Sequence, residues 1–524
     1  MSFSAASVRS FRPRPYHVAA ALFFVALGAL FYGPYLNKLP NGIHTWAQTD
    51  RLSLALNFYD YGFDFFTPRT SSLESIGGVT GVEFPLQAYL AALGGLVVGR
   101  GNIGLLFRLL DVAVTLLGFY YLFRLIFERT GHFVAGLVPG VFLLASPFFA
   151  FYAGGFLPDP FSLSLSFVGY YYWVRFFESR HFPDLRVAVL VLGLAALIKT
   201  TTGLHLGAVA GITLLWSFLQ PDRMTPRQRL EFLGLLAVVL GVVVAFFVHN
   251  QHLNETYQSG QFLAAARPIP DPETLHDVLR DVRRGWLFEY GTITQYRTLG
   301  VCVLLLLVFL RRNLGRYLPL TLLLLATVAI GLLFAQLMGA QFGVHDYYII
   351  CAGLPPAVLL LVLGLLNLSQ YTGFVRYGTT VGLAVLVFFL AVNGYKRLQH
   401  RSSDDYPPFS PWGHIWMRGG AAEMAQAGVP AAASVLYFNE PAPNIAQVYF
   451  DRRGLTWTPA SVTTVKAGDF LGRMAFDSLD YVAMNPALFV QLPADQREAM
   501  AAGFETVGRS PAIILRRRNR QRPW

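Results

Sequence analysis

The sequence predicts an all-α polytopic membrane protein with a small α/β domain at its C-terminal end, and three observations predict it. Apolar residues make up 54% of the 524-residue chain and charged residues only 14%, where a soluble globular chain carries about 25% charged residues. Runs such as "VAAALFFVALGALFYGPYL" and "LPLTLLLLATVAIGLLFAQLMG" reach the ~20 apolar residues that a bilayer-crossing helix needs. After residue 395 the long runs stop, and short strand-like and helix-like segments alternate, as they do in an α/β domain. The expected division is 1–395 for the membrane domain and 396–524 for an extracytoplasmic α/β domain.

The first element is an apolar run preceded by Arg9, Arg12 and Arg14. It is nearer ~20 residues than the ~7–15 of a signal peptide's apolar region, so it is expected to remain as the first span. Ten further spans are expected near 103–123, 133–152, 158–177, 186–200, 203–219, 230–249, 298–310, 317–338, 347–367 and 379–395, after a first near 17–37. The stretch at 84–101, "FPLQAYLAALGGLVVGRG", is apolar but short and holds Gly94, Gly95 and Gly99. Basic loops decide its place, because Lys and Arg near span ends stay cytoplasmic. If 84–101 does not cross, one side collects Arg124, Arg129, Arg175, Arg180, Arg186, Arg223, Arg227, Arg229, Arg311, Arg312, Arg316 and Arg376, together with the N-terminus. The formal charge of +11 thus reads as an orientation signal and not as a nucleic-acid surface. Cys302 and Cys351 lie in apolar runs. Their number excludes a disulfide framework, and they read as small buried hydrophobes.

With this threading the polar segments poor in positive charge fall on the outer face. The first is "NGIHTWAQTDRLSLALNFYDYG", residues 41–62. Thr45 and Gln48 have capping-box spacing. A helix starting there puts Trp46, Asp50, Ser53 and Asn57 on one face and Leu52, Leu56 and Tyr59 on another, the pattern of an amphipathic helix lying along the interface. Asp50 on its polar face can serve a site or simply pair with Arg51. Glu83 follows in "GVEFPLQAY" and Asp159 in "GGFLPDPFSL". Three acids, Asp50, Glu83 and Asp159, each at the mouth of an apolar segment, form a constellation of catalytic candidates, although Asp159 can also cap its own span. Arg108 and Asp111, three apart near a span end, can pair on one helix face.

"H-x-W-x-Q-x-D" after the first span, then "NFYDYG", "GVEFPLQAY", "PD" opening a later span, "LIKTTTG" and "HDYYIICAGLPP" resemble, in this order, the glycosyltransferase family 39 group. That group includes the protein mannosyltransferases and lipid A aminoarabinose transferases of the GT-C fold. The resemblance covers most of residues 15–395. It implies a GT-C-like catalytic domain in a bacterial inner membrane. The implied reaction is inverting transfer of a hexosyl or pentosyl group from a polyprenyl-phosphate sugar to a hydroxyl of a lipid, glycan or protein acceptor. By resemblance, the first-loop acid, here Asp50, is the general base. The chain departs from the better-known branches at Asp50-Arg51, where they carry Asp-Glu. It departs again at Glu83-Phe84-Pro85-Leu86, where they carry Glu-Lys-Pro-Pro, so a phosphate-binding lysine is absent there.

A leaving phosphate needs cations to absorb its charge. The candidates are Lys199, Arg297 and Arg69, with a divalent metal as candidate cofactor. Lys199 and Arg297 can equally extend to the headgroups. His249 and His252 are three apart after the seventh span and can share a metal with Glu83; His252 is preferred because its position resembles a histidine of the family. His345, Asp346, Tyr347 and Tyr348 gather at the mouth of a span, where His345 and Tyr347 are donor-binding candidates and tyrosine can also serve as an interfacial anchor. In the C-terminal domain "SVLYFNE", "NIAQVYF", "DYVAMN" and "PAIILRRR" read as strands, and "AAEMAQAG" and "ADQREAMAAGF" as helices. A lipid-linked sugar flippase, or a polysaccharide polymerase or ligase, is the rival reading. No internal repeat of the kind transporters carry is visible.

Overall fold

A computed structural model describes residues 14–221, 224–262, 265–404, 406, 414–458 and 479–518. Arg9, Arg12 and Arg223, all used above as charge signals, lie outside the described residues, as does the side chain of Arg14. The chain forms two compact units: residues 1–37, 108–248 and 264–403 make the first, and residues 38–107, 249–263 and 404–524 the second.

The first unit is a helix bundle. It contains α1 (Arg14–Tyr32), most of α4 (Ile103–Thr130), α5 (Phe133–Ala145), α6 (Pro147–Ala153), α7 (Pro158–Ser179), α8 (Phe182–Ile198), α9 (Gly203–Leu219) and most of α10 (Pro226–Thr256). It continues with α11 (Pro272–Asp281), α12 (Leu287–Tyr290), α13 (Ile293–Val308), α14 (Leu310–Gly315), α15 (Leu318–Met338), α16 (Ile349–Leu368) and α17 (Gly373–Arg401). Each of the eleven expected spans is helical. Among the described residues, seven helices are long and apolar enough to cross a membrane, and nine if two pairs bent by 89° each count as one span. The protein is therefore an integral membrane protein. One bend falls between α5 and α6, where Pro147 follows Ser146 in extended conformation.

α7 and α8, expected as spans, fall outside that count. α7 is diluted by Ser162, Ser164, Ser166 and Arg175, and α8 has 17 residues. They pack on each other, and α7 is buried along most of its length. A helix enclosed by protein can be less apolar than one that faces lipid. The Ser164 and Ser166 hydroxyls donate to Pro160 O and Ser162 O at 2.7 and 3.1 Å, so their polarity is satisfied within the helix. Close approach of α4 and α7 depends on Gly118, where an added Cβ would sit 2.7 Å from Ser164 Cβ. This is the small-residue contact by which membrane helices pack.

The second unit holds α2 (Thr45–Tyr61), α3 (Leu86–Val98), the end of α10 and the C-terminal sheet. α3 is the expected non-crossing stretch. Its 13 residues extend only about 20 Å at 1.5 Å per residue, short of a ~30 Å hydrocarbon core. The sheet consists of β1 (Val435–Phe438), β2 (Gly454–Trp457), β3 (Tyr481–Met484), β4 (Phe504–Gly508) and β5 (Ile513–Arg517) in the order β2-β1-β3-β5-β4. β1 runs parallel to β2 and β3, and β5 antiparallel to β3 and β4. Both faces are covered, so alternate residues feed two cores. Leu436, Phe438, Val482 and Met484 enter one, with Leu488, Leu492 and Met500. Val435, Tyr437 and Ala483 enter the other, with Met424, Ile445 and Phe450.

The helices α18 (Gly420–Gln426) and α21 (Ala494–Gly503) match the sequence expectation, and α20 (Pro486–Gln491) joins them. "NIAQVYF" does not. It is α19 (Ile445–Phe450), not a strand. Its Val, Tyr and Phe suggest a strand in isolation, but parallel β1 and β2 need a crossover between them, normally a helix.

Candidate active site

In the second unit the site builds on α2, which packs against α3 and α19. The expected capping box does not form. His44 takes the N-cap position at φ 51° without a side-chain cap, and the Thr45 hydroxyl donates backward to Gly42 O at 2.5 Å. A capping box forms instead at Thr292 and Gln295, at the start of α13. On its expected apolar face Leu52 is buried and Leu56 and Tyr59 are half-buried, while Asp50, Ser53 and Asn57 of the polar face are buried in protein.

The polar face keeps its expected register and meets a hydrogen-bond network. Asn444 Nδ2 donates to Asp50 Oδ1 at 2.7 Å. Asn444 Oδ1 accepts from Ser72 N at 3.0 Å and from Ser53 Oγ at 3.3 Å. Ser71 N donates to Ser53 Oγ at 2.6 Å, and Asn57 Nδ2 to Ser71 Oγ at 2.9 Å. Burial pushes the Asp50 carboxyl up to about 6, opposed by the Asn444 hydrogen bond and the Arg51 charge and assisted by Glu74. Arg51 does not pair with Asp50. Its Nη2 donates to Glu83 Oε2, and its guanidinium lies 5.0 Å from the Phe262 ring.

Glu83 follows a strand-like stretch clamped by the end of α10. Asn250 Nδ2 donates to Val82 O at 2.6 Å, and Asn254 Oδ1 accepts from Gly81 N at 2.7 Å. The backbones are so close that a Cβ on Gly81 would lie 2.5 Å from Asn250 O. Sequence reasoning looked at the histidines of this helix and missed the asparagines, although two asparagines four apart share a helix face. His249 bonds Phe66 O at 2.7 Å, and His252 is exposed. Among the described residues no three His, Cys, Asp or Glu side chains gather to hold a metal ion. Glu83, one of the two expected metal ligands, is bonded to Arg51. Arg69 points to Gly77 O at 3.4 Å.

The first unit holds the other candidates. Asp159 lies in the first turn of α7, where a negative charge is favoured by the helix dipole; the N-cap itself is Leu157. Lys199 ends α8 in extended conformation, and its Nζ lies 3.4 Å from Asp159 Oδ2, with the side chains 12% and 2% exposed. Thr202 Oγ1 donates to Lys199 O at 2.7 Å and meets Ser162 Oγ at 2.8 Å, bracing the corner. Lys199 therefore turns into the protein and does not snorkel. Arg297 is exposed on α13.

His345 stacks on Tyr348 at 5.2 Å, and Tyr347 meets Tyr152 edge-on at 5.9 Å. Between His345 and Tyr347, Asp346 is fully buried; it accepts from Tyr152 OH at 2.7 Å and from Arg401 Nη2. Arg401 Nη1 donates to Glu289 Oε2 at 2.6 Å. Arg401, the last residue of α17, lies beyond the span expected at 379–395 and is absent from the sequence reading. A single arginine after an apolar run carries the same local signal as an interfacial anchor.

A family model described as dolichyl-phosphate-mannose-protein mannosyltransferase matches residues 83–249, about a third of the chain. Among solved structures, the ArnT protein of Cupriavidus metallidurans bound to undecaprenyl phosphate superposes with a TM-score of 0.59 at 14% identity, covering 95% of this chain and 98% of that one. Its apo form gives 0.58 at 12% identity with the same coverage. The chain has the GT-C fold. The Archaeoglobus fulgidus oligosaccharyltransferase, solved with Zn and sulfate, matches with a TM-score of 0.50 at 14% identity over 95% of this chain and 73% of that one. A search of curated protein sequences returns no significant match. The resemblance read from the ordered motifs thus agrees with a family model and with GT-C structures, and both support a transferase.

Proposed function

We propose that this GT-C protein is an inverting glycosyltransferase that moves a sugar from a polyprenyl-phosphate donor to an acceptor hydroxyl at the extracytoplasmic face of a bacterial inner membrane. The observation that carries the reading is Asp50, a buried carboxylate held by the Asn444 amide and pushed up by burial to about 6. An alcohol is a weak nucleophile. A carboxylate in hydrogen-bond reach takes its proton as the new C–O bond forms at the anomeric carbon, and a base titrating near the working pH does so with good efficiency. The bond from that carbon to the donor phosphate breaks, and polyprenyl phosphate leaves. Lys199 supplies a cation for the phosphate, and Asp159 holds Lys199 at its corner. Arg297, His345 and Tyr347 are assigned to donor binding, and Glu83 to fixing Arg51. No step is routed through a metal.

The undecaprenyl phosphate bound by the ArnT of C. metallidurans supports a donor of this lipid class. The test is turnover of a panel of synthetic polyprenyl-phosphate sugars by the purified protein in detergent or nanodiscs. Release of free polyprenyl phosphate is expected. A flippase would move the lipid and release none, and that result would overturn the reading.

A further inference from the structure

We propose that Asn444, in the segment linking β1 to α19, is a positioning residue for Asp50: it fixes Oδ1 and leaves Oδ2 as the oxygen that accepts the proton. The inference rests on the reading of Asp50 as general base.

A backbone N–H can only donate, so the atom of Asn444 that meets Ser72 N at 3.0 Å must be its oxygen. The Ser53 hydroxyl reaches the same oxygen. The NH2 end is thereby forced toward the Asp50 carboxylate. Asn444 is fully buried, so its amide has no bulk water to turn to, and an unmade hydrogen bond there is costly.

The sheet sets both halves of this arrangement. Gly454, the first residue of β2, pairs with Val435 of β1. It also donates to Ser71 O at 3.1 Å and accepts from Leu73 N at 2.9 Å. A Cβ at 454 would stand 1.8 Å from Val435 O, so only glycine fits. The strand that anchors the β1 crossover therefore also presents Ser72 N–H to Asn444. The charges acting on Asp50 are Arg51 from α2 and Glu74 from the loop after it, and Glu74 Oε1 is itself held by Thr456 Oγ1 of β2 at 3.1 Å.

Two variants separate positioning from mere folding. Asn444→Asp keeps the shape and the acceptor for Ser72 and Ser53, but replaces the donor facing Asp50 with a second carboxyl whose charge also raises Asp50. Asn444→Ala removes both ends. The Asp50 carboxyl is titrated by infrared difference spectroscopy, its band assigned in each background by its loss on Asp50→Asn. Undecaprenyl phosphate binding and the kcat/KM pH profile are measured alongside.

A hydrogen bond to a charged group is worth roughly ten- to a hundredfold in an equilibrium. Asn444→Ala should raise the Asp50 midpoint by about one to two pH units and Asn444→Asp by more, and the acid limb of kcat/KM should move with it. Turnover at pH 7 should fall about two- to tenfold while lipid binding changes less than about twofold. An unmoved midpoint in folded Asn444→Ala overturns the proposal, whatever happens to activity. If the midpoint moves but Asp50→Asn turns over like wild type, the base assignment fails and the positioning role falls with it, while the hydrogen bond itself stands.

Discussion

Asp50→Asn tests the base with the least disturbance of its surroundings. Asn444 offers its NH2 group, fixed in orientation by Ser72, and an asparagine at 50 can accept it through its own Oδ1. The network therefore survives and only the charge is lost. A general base contributes about 100- to 10,000-fold, so kcat should fall by that much, about 2.7–5.4 kcal/mol of barrier. Stability should move the opposite way. The Asp50 carboxyl is raised from its ordinary 3.8 to about 6, so the folded protein binds this proton more tightly than the unfolded chain. The stabilisation linked to that proton is complete below about pH 4 and is lost as pH rises through about 6. At neutral pH the ionised, buried carboxylate costs on the order of 3 kcal/mol, and the neutral amide avoids it. The assay is donor turnover with apparent melting temperature in detergent between pH 4 and 8. Asp50→Asn should be inactive and more heat-resistant than wild type at pH 7.5, with the advantage shrinking toward pH 4. Wild-type turnover, or a loss of stability that ignores pH, would refute the reasoning.

Lys199→Ala should lower kcat/KM for the donor at least about tenfold and cost about 3–5 kcal/mol by stranding Asp159; adding Asp159→Ala should restore the melting temperature but not the turnover. Arg401→Met should lower the melting temperature by leaving Asp346 and Glu289 uncompensated, again by about 3–5 kcal/mol, with Arg401→Lys intermediate because lysine cannot fork between two carboxylates. A reporter active only outside the cytoplasm should work when fused after residue 155 and stay silent when fused after residue 182; the reverse pattern would place the basic loops on the wrong side.

The spans were legible because their signal is local. Twenty apolar residues announce a helix without knowledge of its neighbours, and the brevity of 84–101 showed in its length and glycines. The ordered motifs pointed to GT-C for the same reason. Where a residue's state depends on distant chain, local reading failed. α19 looks like a strand until the parallel pairing of β1 and β2 demands a crossover. Thr45 and Gln48 have capping-box spacing, but His44 had already taken the cap. The candidate site was legible in its acids and only partly in their partners. Arg51 for Glu83 and Lys199 for Asp159 join residues already under suspicion, whereas Asn444 and Arg401 are ordinary letters until the fold brings them to a carboxylate.

The separation of Asp50 and Asn444 by 394 positions also sets an order of assembly. At about 5–20 residues per second of synthesis, roughly 20–80 seconds pass between the emergence of the aspartate and that of its amide partner. During that interval α2 exists with Asp50, Ser53 and Asn57 lacking part of their final network, beside a membrane that is inserting span after span. The protein is thus born with the Asp50 carboxylate unheld, and its amide partner arrives only with the last quarter of the chain, so a truncated or stalled product would lack that hydrogen bond.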